Sequence, residues 1–597
     1  MASAAPTDTA PRKASALSRW LPGLATLRGY HRKDLRGDLV AGLAVTALLV
    51  PQGMAYAELA GLPAVTGLYT TVVALVAYAV FGPSRILVLG PDSALAPLIL
   101  ATILPLIGAG GDPAKAIALA SALAVIMGVL CLVAGLAHLG VITELLSKPI
   151  RVGYLNGIAI VVVVSQLPKL FGFSVEAEST PARLREFIAG VLDSRTNFAA
   201  LAIGLACLIL LFTFKALAPK IPAVLFAVVG ATLAVAAFDL VAHGVAVVGP
   251  VPSGFPAPAL PALDMADLGR LTVAALGMTF VTLADTSALS RTFALKEGRE
   301  VDPDQEIVAL GTANLAAGFF QGFPVSASAS RTAVAEASGG KSQAVGLVGA
   351  ATITLLLLFA GGLTTYMPQA SLAAIVIVAG TSLLDIATPR WLWKVRRSEF
   401  LLSLAALLGV AIVGVLQGIV IAIVLSLAAF LQRVWRPYDA TLGRVPGRHG
   451  YHDVARHPDA VQLPGLMIFR FDAPVFFANA EHFSRAVKKH IAERGEPVRH
   501  VIIAGEPISD IDTTGVESLL DLIHDLAEGG VTITFAELKG PVKDRLRSYG
   551  VYDHIGRDKF VSTLGHAVKD YQEETAIERH PAPDAVAGST AKATPEG

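Results

Sequence analysis

Long apolar runs alternate with short polar stretches over the first three quarters of the chain. Between about Leu39 and Leu431 these runs approach 20 residues, and a helix of that length crosses a hydrocarbon core of roughly 30 Å. The pattern therefore predicts a polytopic α-helical membrane domain with about 14 transmembrane segments. The segments begin near Asp38, Thr66, Asp92, Lys115, Pro149, Asn197, Ile221, Leu271, Gln305, Ser328, Ser342, Gln369, Glu399 and Gly418.

The periodicity changes after Arg433. Short apolar runs rich in β-branched residues there alternate with amphipathic stretches, which is typical of a small α/β domain. The predicted strands are Leu466–Phe471, His500–Ala504 and Val531–Glu537, and the predicted helices are Ala480–Glu493 and Thr514–Ala527.

These patterns divide the chain into five parts. We expect a cytoplasmic N-terminal segment (1–36), a transmembrane domain (37–435), a linker (436–463), an α/β domain (464–575) and a disordered tail (576–597). The tail is rich in Pro, Ala and Thr, and such a composition cannot bury enough apolar surface to order itself.

Composition narrows the class of function. Hydrophobic residues make up 54% of the chain and charged residues 16%, against about 25% charged residues in soluble domains. The formal net charge of zero argues against a nucleic-acid partner, which would require a basic patch. The two cysteines, Cys131 and Cys207, form no metal or disulfide framework. No nucleophile–base pair, metal cluster or cofactor loop is recognisable, so neither an enzyme nor a resident cofactor is expected.

Basic residues concentrate in alternate loops between the apolar segments. Because Lys and Arg accumulate on the cytoplasmic side, these loops are predicted to be cytoplasmic, and an even number of crossings places both termini there too. The prediction is a multi-pass protein of the inner (plasma) membrane. The loop 169–197 fits less well, since it should lie outside yet mixes basic and acidic residues. The predicted cytoplasmic loops carry, among others, Arg85, Lys148, Arg151, Lys215, Arg291, Lys341 and Arg396.

The membrane part contains a faint internal repeat. A segment broken at Pro91 beside small polar residues recurs at Pro324, 233 residues later, and the same offset carries Gln52 onto Asp285. Seven segments per half is an odd number, so equivalent helices run in opposite directions. Inverted repeats with helices broken at matching positions are the pattern of secondary transporters, whose substrate site lies between the repeats.

Asp285 is an ionisable residue inside an apolar run, where burial is costly and a function is the default hypothesis. It is a candidate for binding a coupling proton or sodium ion. The alternative is a helix-packing carboxylate paired with a neighbouring cation.

Ser328, Ser330 and Arg331 stand at the start of the second broken segment. Free backbone N–H groups and the helix dipole favour an anion at such a helix start. The two hydroxyls are expected to donate to it, while Arg331 supplies positive charge from one turn inside. Alternatively, Arg331 pairs with Asp285 or extends to the cytoplasmic face.

Three further polar residues are candidates for the same site. Asp92 follows Pro91 at the first broken segment, although an acidic residue there is also an ordinary helix start. Gln52 and Tyr56 are four residues apart and share a helix face, where they either contact a ligand or pack between helices.

The segment Gly339-Gly340-Lys341-Ser342 resembles the end of a phosphate-binding loop. The first glycine of that motif is missing and no soluble strand precedes it, so an ATP-binding site is not expected here.

Several of these segments resemble one transporter family. The chain is similar to the sulfate permease (SulP, solute carrier 26-type) anion transporters, whose C-terminal STAS domain the α/β domain also resembles. The similar segments are Pro51-Gln52-Gly53-Met54-Ala55-Tyr56-Ala57, Gly82-Pro83-Ser84-Arg85, Ser328-Ala329-Ser330-Arg331-Thr332, Arg470-Phe471-Asp472-Ala473-Pro474 and Asp510-Ile511-Asp512-Thr513-Thr514-Gly515.

The resemblance implies a 7+7 inverted repeat, an elevator-like movement of a core against a gate, and a homodimer. It implies an anion bound between the third and tenth helices, at Gln52, Tyr56, Asp92, Asp285, Ser328, Ser330 and Arg331. Asp92 departs from the family, where this position is often apolar or aromatic. Thr513 corresponds to a phosphorylated position in related soluble factors, which makes it a candidate regulatory site and suggests a cytoplasmic protein partner; the alternative is a helix cap.

The sequence therefore predicts a secondary active transporter of a small anion, either sulfate, bicarbonate or a dicarboxylate, coupled to protons or sodium ions as a symporter. The alternatives are an uncoupled anion channel or exchanger, and a membrane anion sensor that signals through the STAS domain.

Overall fold

The computed structural model describes residues 21–575, apart from residues 108–110, 140–146, 176, 178, 219–221, 262–263, 297 and 360. The predicted disordered tail (576–597) and the first 20 residues of the predicted N-terminal segment lie outside the described residues. The chain forms two compact units, a membrane unit (Met1–Ser426) and a C-terminal unit (Leu427–Gly597).

The membrane unit is built of helices, interrupted by two very short strands. The helices are α1 (Pro22–Arg28), α2 (Leu35–Leu59), α3 (Ala64–Phe81), α4 (Ala96–Ile107), α5 (Pro113–Leu136), α6 (Lys148–Leu170), α7 (Thr180–Leu192), α8 (Phe198–Leu217), α9 (Ala223–Ala237), α10 (Met265–Lys296), α11 (Pro303–Phe319), α12 (Ala329–Ala337), α13 (Ala344–Phe359), α14 (Gln369–Ser382), α15 (Ala387–Val395), α16 (Arg397–Leu408) and α17 (Val415–Trp435). The strands are β1 (Leu89–Gly90) and β2 (Ser326–Ala327).

A described helix begins within a few residues of every predicted apolar segment, from α2 to α17. Seven helices in the described part of the chain are long and apolar enough to cross a membrane. Two further helices, α7 and α15, lie where loops were predicted. Helix α7 is too polar and too short for a search based on apolar runs, and it begins at a Ser179 cap followed by a proline in its first turn. The loop 169–197 is thus partly helical.

Glycines let helices approach each other closely in a medium where the hydrophobic effect does not drive helix association. A Cβ atom on Gly67 of α3 would lie 1.9 Å from the backbone oxygen of Gly53 in α2. A Cβ atom on Gly153 of α6 would likewise lie 1.9 Å from the backbone oxygen of Ser403 in α16. Neither contact tolerates a larger residue without separating the helices.

Strands β1 and β2 pair with each other in antiparallel fashion, with Leu89 opposite Ala327 and Gly90 opposite Ser326. Each strand precedes a helix of the predicted repeat, and α12 begins 233 residues after α4, the offset expected from the sequence. Extended backbone within a bilayer needs hydrogen-bond partners, and the strand pair supplies them. The two broken segments therefore meet inside the membrane unit.

The C-terminal unit contains a six-stranded sheet. The strands are β3 (Asp439–Gly443), β4 (His452–Asp453), β5 (Leu466–Phe471), β6 (His500–Ala504), β7 (Thr532–Ala536) and β8 (Phe560–Val561). Their order in the sheet is β4-β3-β5-β6-β7-β8. Neighbours from β5 to β8 are parallel, while β3 is antiparallel to both β4 and β5. The helices are α18 (Ala480–Glu493), α19 (Thr513–Glu528), α20 (Gly540–Ser548), α21 (Tyr552–Ile555) and α22 (Leu564–Thr575).

The predicted linker (436–463) is not a linker throughout. Strand β3 pairs with β5 from Asp439 opposite Phe471 to Leu442 opposite Ile468, and β4 extends the same sheet. The prediction missed these strands because β3, with the sequence Asp-Ala-Thr-Leu-Gly, lacks a run of apolar β-branched residues, and β4 has only two residues. This stretch belongs to the α/β domain.

Strand β5 is buried on both faces, which explains its continuous apolar sequence. Met467, Phe469 and Phe471 point into a core shared with α18 and α19, whereas Leu466 and Ile468 point into a second core beneath α22. The unit is a sheet covered by helices on both sides.

His500 of β6 illustrates how the sheet holds a neutral polar group. Its Nδ1 lies 2.7 Å from the Thr532 hydroxyl and its Nε2 lies 3.0 Å from the Thr534 hydroxyl. Burial lowers the pKa of His500; nearby Glu574 opposes this shift and Lys559 adds to it.

We expect the C-terminal unit to lose stability as the pH falls below about 6.5, because the unfolded chain then takes up a proton at His500 that the folded form resists. Above that pH the contribution of His500 is fully present. Urea unfolding of the unit between pH 5 and pH 8 measures the effect. His500→Gln serves as the control, and an equally steep pH dependence in this variant would contradict the assignment.

Candidate anion-binding site

A cavity of about 760 Å³ opens between the helices of the membrane unit. Its wall contains most of the residues that the sequence predicted to bind the anion or the coupling ion. Those in the wall are Gln52, Tyr56, Asp92, Asp285, Ser328 and Ser330.

Helix α2 contributes one face to the wall. Ala44, Leu48, Gln52 and Tyr56 recur every four residues and all line the cavity. Tyr56 is buried, and Gln52 places an amide one turn before it. The predicted sharing of a helix face by Gln52 and Tyr56 is found in the structure.

The pairing of β1 with β2 brings the starts of α4 and α12 to the same cavity. Ser328 is the cap of α12, and its hydroxyl lies 3.5 Å from the Arg331 backbone nitrogen and 3.2 Å from the Ser330 hydroxyl. The Ser328 backbone nitrogen donates to the Val88 oxygen at 3.1 Å, which fixes the helix start against the segment leading into β1. Two hydroxyl groups thus face the cavity from a held helix start.

Arg331 lies behind this wall, with only 1% of its surface exposed. Within the described part of the chain, its Nε, Nη1 and Nη2 atoms have no hydrogen-bond partner. It neither pairs with Asp285 nor reaches a face of the unit, so both alternatives considered for it are wrong. A buried guanidinium without hydrogen-bond partners among the described residues places positive charge beside the two serines.

Gly90 makes room for this guanidinium. A Cβ atom at position 90 would lie 3.1 Å from Nη1 of Arg331, and the φ angle of Gly90 is +158°. The strand pair therefore passes close over the cation because it carries no side chain there.

Asp92 faces the cavity but also has a local role. Its Oδ1 accepts a hydrogen bond of 2.9 Å from the Ala94 backbone nitrogen in the turn before α4. This is the ordinary helix-start role that the sequence left open. Its carboxylate also lies within electrostatic range of Arg331.

Asp285 faces Arg151 across the cavity, with 3.8 Å between Asp285 Oδ1 and Arg151 Nη1. About a third of each side chain is exposed. Asp285 is therefore paired with a cation, but the pair stands in the open cavity rather than in a packed interface. From its sequence position, Arg151 was interpreted only as a loop charge. Its place three residues after Lys148, at the start of an apolar helix, is the signal that was missed.

Further basic residues line the cavity towards the loops that were predicted to be cytoplasmic. Lys148 and Lys215 are part of the wall, and Lys215 Nζ donates to the Ser382 hydroxyl at 3.0 Å. The cavity thus opens on the side that carries these basic loops.

The opposite end of the same helices carries a different ion pair. Lys169 Nζ lies 3.4 Å from Glu58 Oε2, which joins the ends of α6 and α2. Lys169 follows Lys148 by 21 residues along α6, or about 31 Å. Glu58 and Lys169 line a separate depression of about 400 Å³. Neither residue is part of the large cavity, which is therefore one-sided.

The segment that resembled a phosphate loop binds a carboxylate of the protein itself. Asp38 accepts hydrogen bonds from the backbone nitrogens of Lys341 and Ser342 at 2.6 and 3.3 Å and from the Ser342 hydroxyl at 2.6 Å. Asp38 is fully buried. The anion-binding turn is thus occupied by a structural contact between α2 and the start of α13.

Comparison with known proteins identifies this architecture. The model of the sulfate permease family matches residues 35–406, and the STAS domain model matches residues 457–567. The chain belongs to the sulfate permease family. It is accordingly an anion transporter with a C-terminal STAS domain and not an enzyme.

Relatives of known name support the assignment along nearly the whole chain. A probable sulfate transporter of Mycobacterium tuberculosis (strain CDC 1551 / Oshkosh) is 39% identical over 553 residues, which cover 93% of this chain and 98% of the relative. High affinity sulfate transporter 2 of Stylosanthes hamata is 30% identical over 568 residues, covering 92% and 86%.

Among solved structures, the murine solute carrier 26 family member A9 anion transporter in the inward-facing state superimposes with a TM-score of 0.87. The match covers 95% of this chain and 97% of that one at 24% sequence identity. The predicted fold class, a polytopic helical transporter followed by a STAS domain, is confirmed.

Thr513 lies in the STAS domain, at the first position of α19, and is exposed. The cap of this helix is Asp512, whose Oδ1 accepts from the Gly515 backbone nitrogen at 2.7 Å and whose Oδ2 accepts from the Phe477 backbone nitrogen at 2.9 Å. Capping therefore does not need the Thr513 hydroxyl.

Gly90→Ala is expected to weaken binding of a sulfate probe by about tenfold, equivalent to about 1.4 kcal/mol, because the added methyl displaces the Arg331 guanidinium. Isothermal titration of the purified protein measures the affinity. Gly230→Ala is the matched control, since a Cβ atom there meets nothing within 4 Å. Equal sulfate affinity in both variants would separate Arg331 from anion binding.

Proposed function

We propose that this protein is a secondary active symporter that carries a small oxyanion, sulfate in the first place, together with a proton or sodium ion. The observation that carries the proposal is a one-sided cavity lined by a partly exposed carboxylate, Asp285. Behind its wall lies a buried cation, Arg331, whose guanidinium has no hydrogen-bond partner among the described residues. Bicarbonate and dicarboxylates remain candidate substrates. Sulfate is preferred because relatives that align along nearly the whole chain carry that name.

The anion is expected to bind at the start of α12. Ser328 and Ser330 offer hydroxyl donors, and the helix start adds backbone N–H groups and a partial positive charge. Arg331 acts from behind without touching the ligand, and its field is strong because little water separates it from the site. Gln52 and Tyr56 complete the wall from α2.

The coupling ion is expected to bind at Asp285. A carboxylate facing a water-filled cavity can hold either a proton or a hard cation such as Na⁺, and either one neutralises the charge that would repel an anion. Asp92 adds a second negative charge in the same wall. Two carboxylates near one anion favour symport over transport of the anion alone.

The cavity also supports alternating access over an open pore. It opens on one side only, and the Glu58–Lys169 pair joins α2 to α6 at the other end. An elevator-like movement of a core against a gate, a homodimer, and a cytoplasmic location of both termini are parts of the proposal that rest on the family resemblance and the basic loops.

Uptake into proteoliposomes tests the proposal. Labelled sulfate, bicarbonate and fumarate are offered with and without inward proton and sodium gradients. Accumulation of one anion that requires one gradient supports symport. Large fluxes that ignore both gradients would indicate a channel or exchanger, and saturable binding without flux would indicate a sensor that signals through the STAS domain.

Asp285→Asn is expected to abolish gradient-driven accumulation, at least tenfold below the wild-type rate, while the protein stays folded, because the neutral amide takes up no proton and lacks the negative charge that attracts Na⁺. Asp239→Asn is the matched control: Asp239 is exposed, lies outside the cavity, and has a positive φ of 46° that asparagine also tolerates. Coupled uptake at the wild-type rate in Asp285→Asn would remove Asp285 from the mechanism.

Thr513 is proposed as a phosphorylation site through which a cytoplasmic partner acts on the STAS domain. Its exposure and the independent cap at Asp512 leave its hydroxyl available. Mass spectrometry of the protein purified from its native membrane is expected to detect a phosphorylated peptide containing Thr513. Full sequence coverage with only unmodified peptide would leave Thr513 a helix-start residue.

A further inference from the structure

Arg151 lines the cavity, yet it has no role in the proposed binding of the anion at α12 or of the coupling ion at Asp285. It belongs to α6, whereas its partner Asp285 belongs to α10, and the two side chains lie 3.8 Å apart in the cavity. The guanidinium of Arg151 can therefore separate from Asp285 only as a whole charged group. At Asp285, the guanidinium stands where a coupling cation would have to bind.

A cation that binds Asp285 therefore competes with Arg151. The distance of 3.8 Å is longer than a hydrogen bond, and about a third of each side chain is exposed, so the pair can separate without unpacking the helices. The long side chain of Arg151 then remains inside the cavity that also contains Ser328 and Ser330. Its charge is no longer neutralised by Asp285.

We propose that Arg151 links the two binding steps: the coupling cation displaces Arg151 from Asp285, and the released guanidinium strengthens binding of the anion. This inference rests on the proposed role of Asp285 in coupling. It makes Arg151 a residue that determines how strongly cation and anion cooperate. The affinity of the empty site for either ion alone is correspondingly reduced.

The other titratable groups around Asp285 are less suited to this exchange. Lys215 is held by Ser382, and Asp92 is engaged by the Ala94 nitrogen. The remaining neighbours are Lys148 on α6, Asp385 after α14, Tyr56 on α2, the buried Tyr154 on α6 and the buried Arg331 on α12. Among the described residues of the cavity wall, Arg151 and Asp285 are the pair of opposite charges in contact.

Linkage makes the proposal measurable without transport. If the cation raises sulfate affinity by some factor, sulfate must raise cation affinity by the same factor. Sulfate titrations of the full-length protein are carried out with and without saturating Na⁺ at constant pH, and at pH 5.5 and pH 8 without Na⁺. In the wild type, either Na⁺ or the protons supplied at pH 5.5 are expected to increase sulfate affinity at least fivefold.

The two partners predict opposite shifts when removed. In Arg151→Gln, sulfate affinity is expected not to exceed the cation-free wild-type value even at saturating cation, because neutralising Asp285 then releases no guanidinium. In Asp285→Asn, Arg151 is always released, so sulfate affinity is expected to stay at the cation-saturated value. Arg151→Lys keeps the positive charge and is expected to retain most of the cooperativity. A pair that merely holds the fold would not shift the two variants in opposite directions.

The sulfate titrations distinguish loss of coupling from loss of the role of Arg151. A wild type whose sulfate affinity ignores both cations would overturn coupling and with it this inference. A wild type that responds, together with Arg151→Gln that reaches the cation-saturated wild-type affinity, would overturn the role of Arg151 alone. If Arg151→Gln does not fold, Asp285→Asn provides the test instead. A sulfate affinity of Asp285→Asn below that of the cation-saturated wild type would likewise overturn the role of Arg151.

Discussion

The structure depends on the need to satisfy backbone hydrogen bonds where two helices are broken inside the membrane unit. Hydrocarbon offers no partners to an interrupted helix, so each broken segment has to find them in protein. Here the two segments satisfy each other through β1 and β2, with Leu89 opposite Ala327 and Gly90 opposite Ser326. The same pairing brings two helix starts to one cavity. The pairing that satisfies these backbone groups therefore also brings together two helix starts, and the N–H groups and dipole of a helix start favour a bound anion.

A buried charge adds the second constraint. Arg331 is held beneath Gly90 without a protein partner among the described residues, an arrangement that costs stability and is therefore informative about function. The nearby carboxylates are each engaged elsewhere, Asp92 by the Ala94 nitrogen and Asp285 by Arg151. Within the described part of the chain, the Arg331 guanidinium thus remains available to act on an anion at the start of α12, as the proposed function requires.

The sequence predicted the helices and their contribution to the cavity well, because apolar runs, proline breaks and i, i+4 spacing are local signals. Strands β5 and β6 and helix α18 have the predicted bounds. Elements without a local apolar signal were missed. Strand β3 is recognisable only through its pairing with β5. Helix α7 has no apolar run that would mark it in the sequence. The Arg151–Asp285 pair joins residues more than 130 positions apart, and no local pattern could reveal it.

The internal repeat supplies the scaffold but not the chemistry. Equivalent positions 233 residues apart carry a neutral amide, Gln52, in α2 and a carboxylate, Asp285, in α10. Of these two equivalent positions, only the one in α10 carries an ionisable group. Around the inner part of the cavity, the acidic residues Asp92 and Asp285 lie near the basic residues Arg151 and Arg331. An anion that enters alone adds negative charge beside the two carboxylates, whereas a cation bound at Asp285 offsets part of that charge.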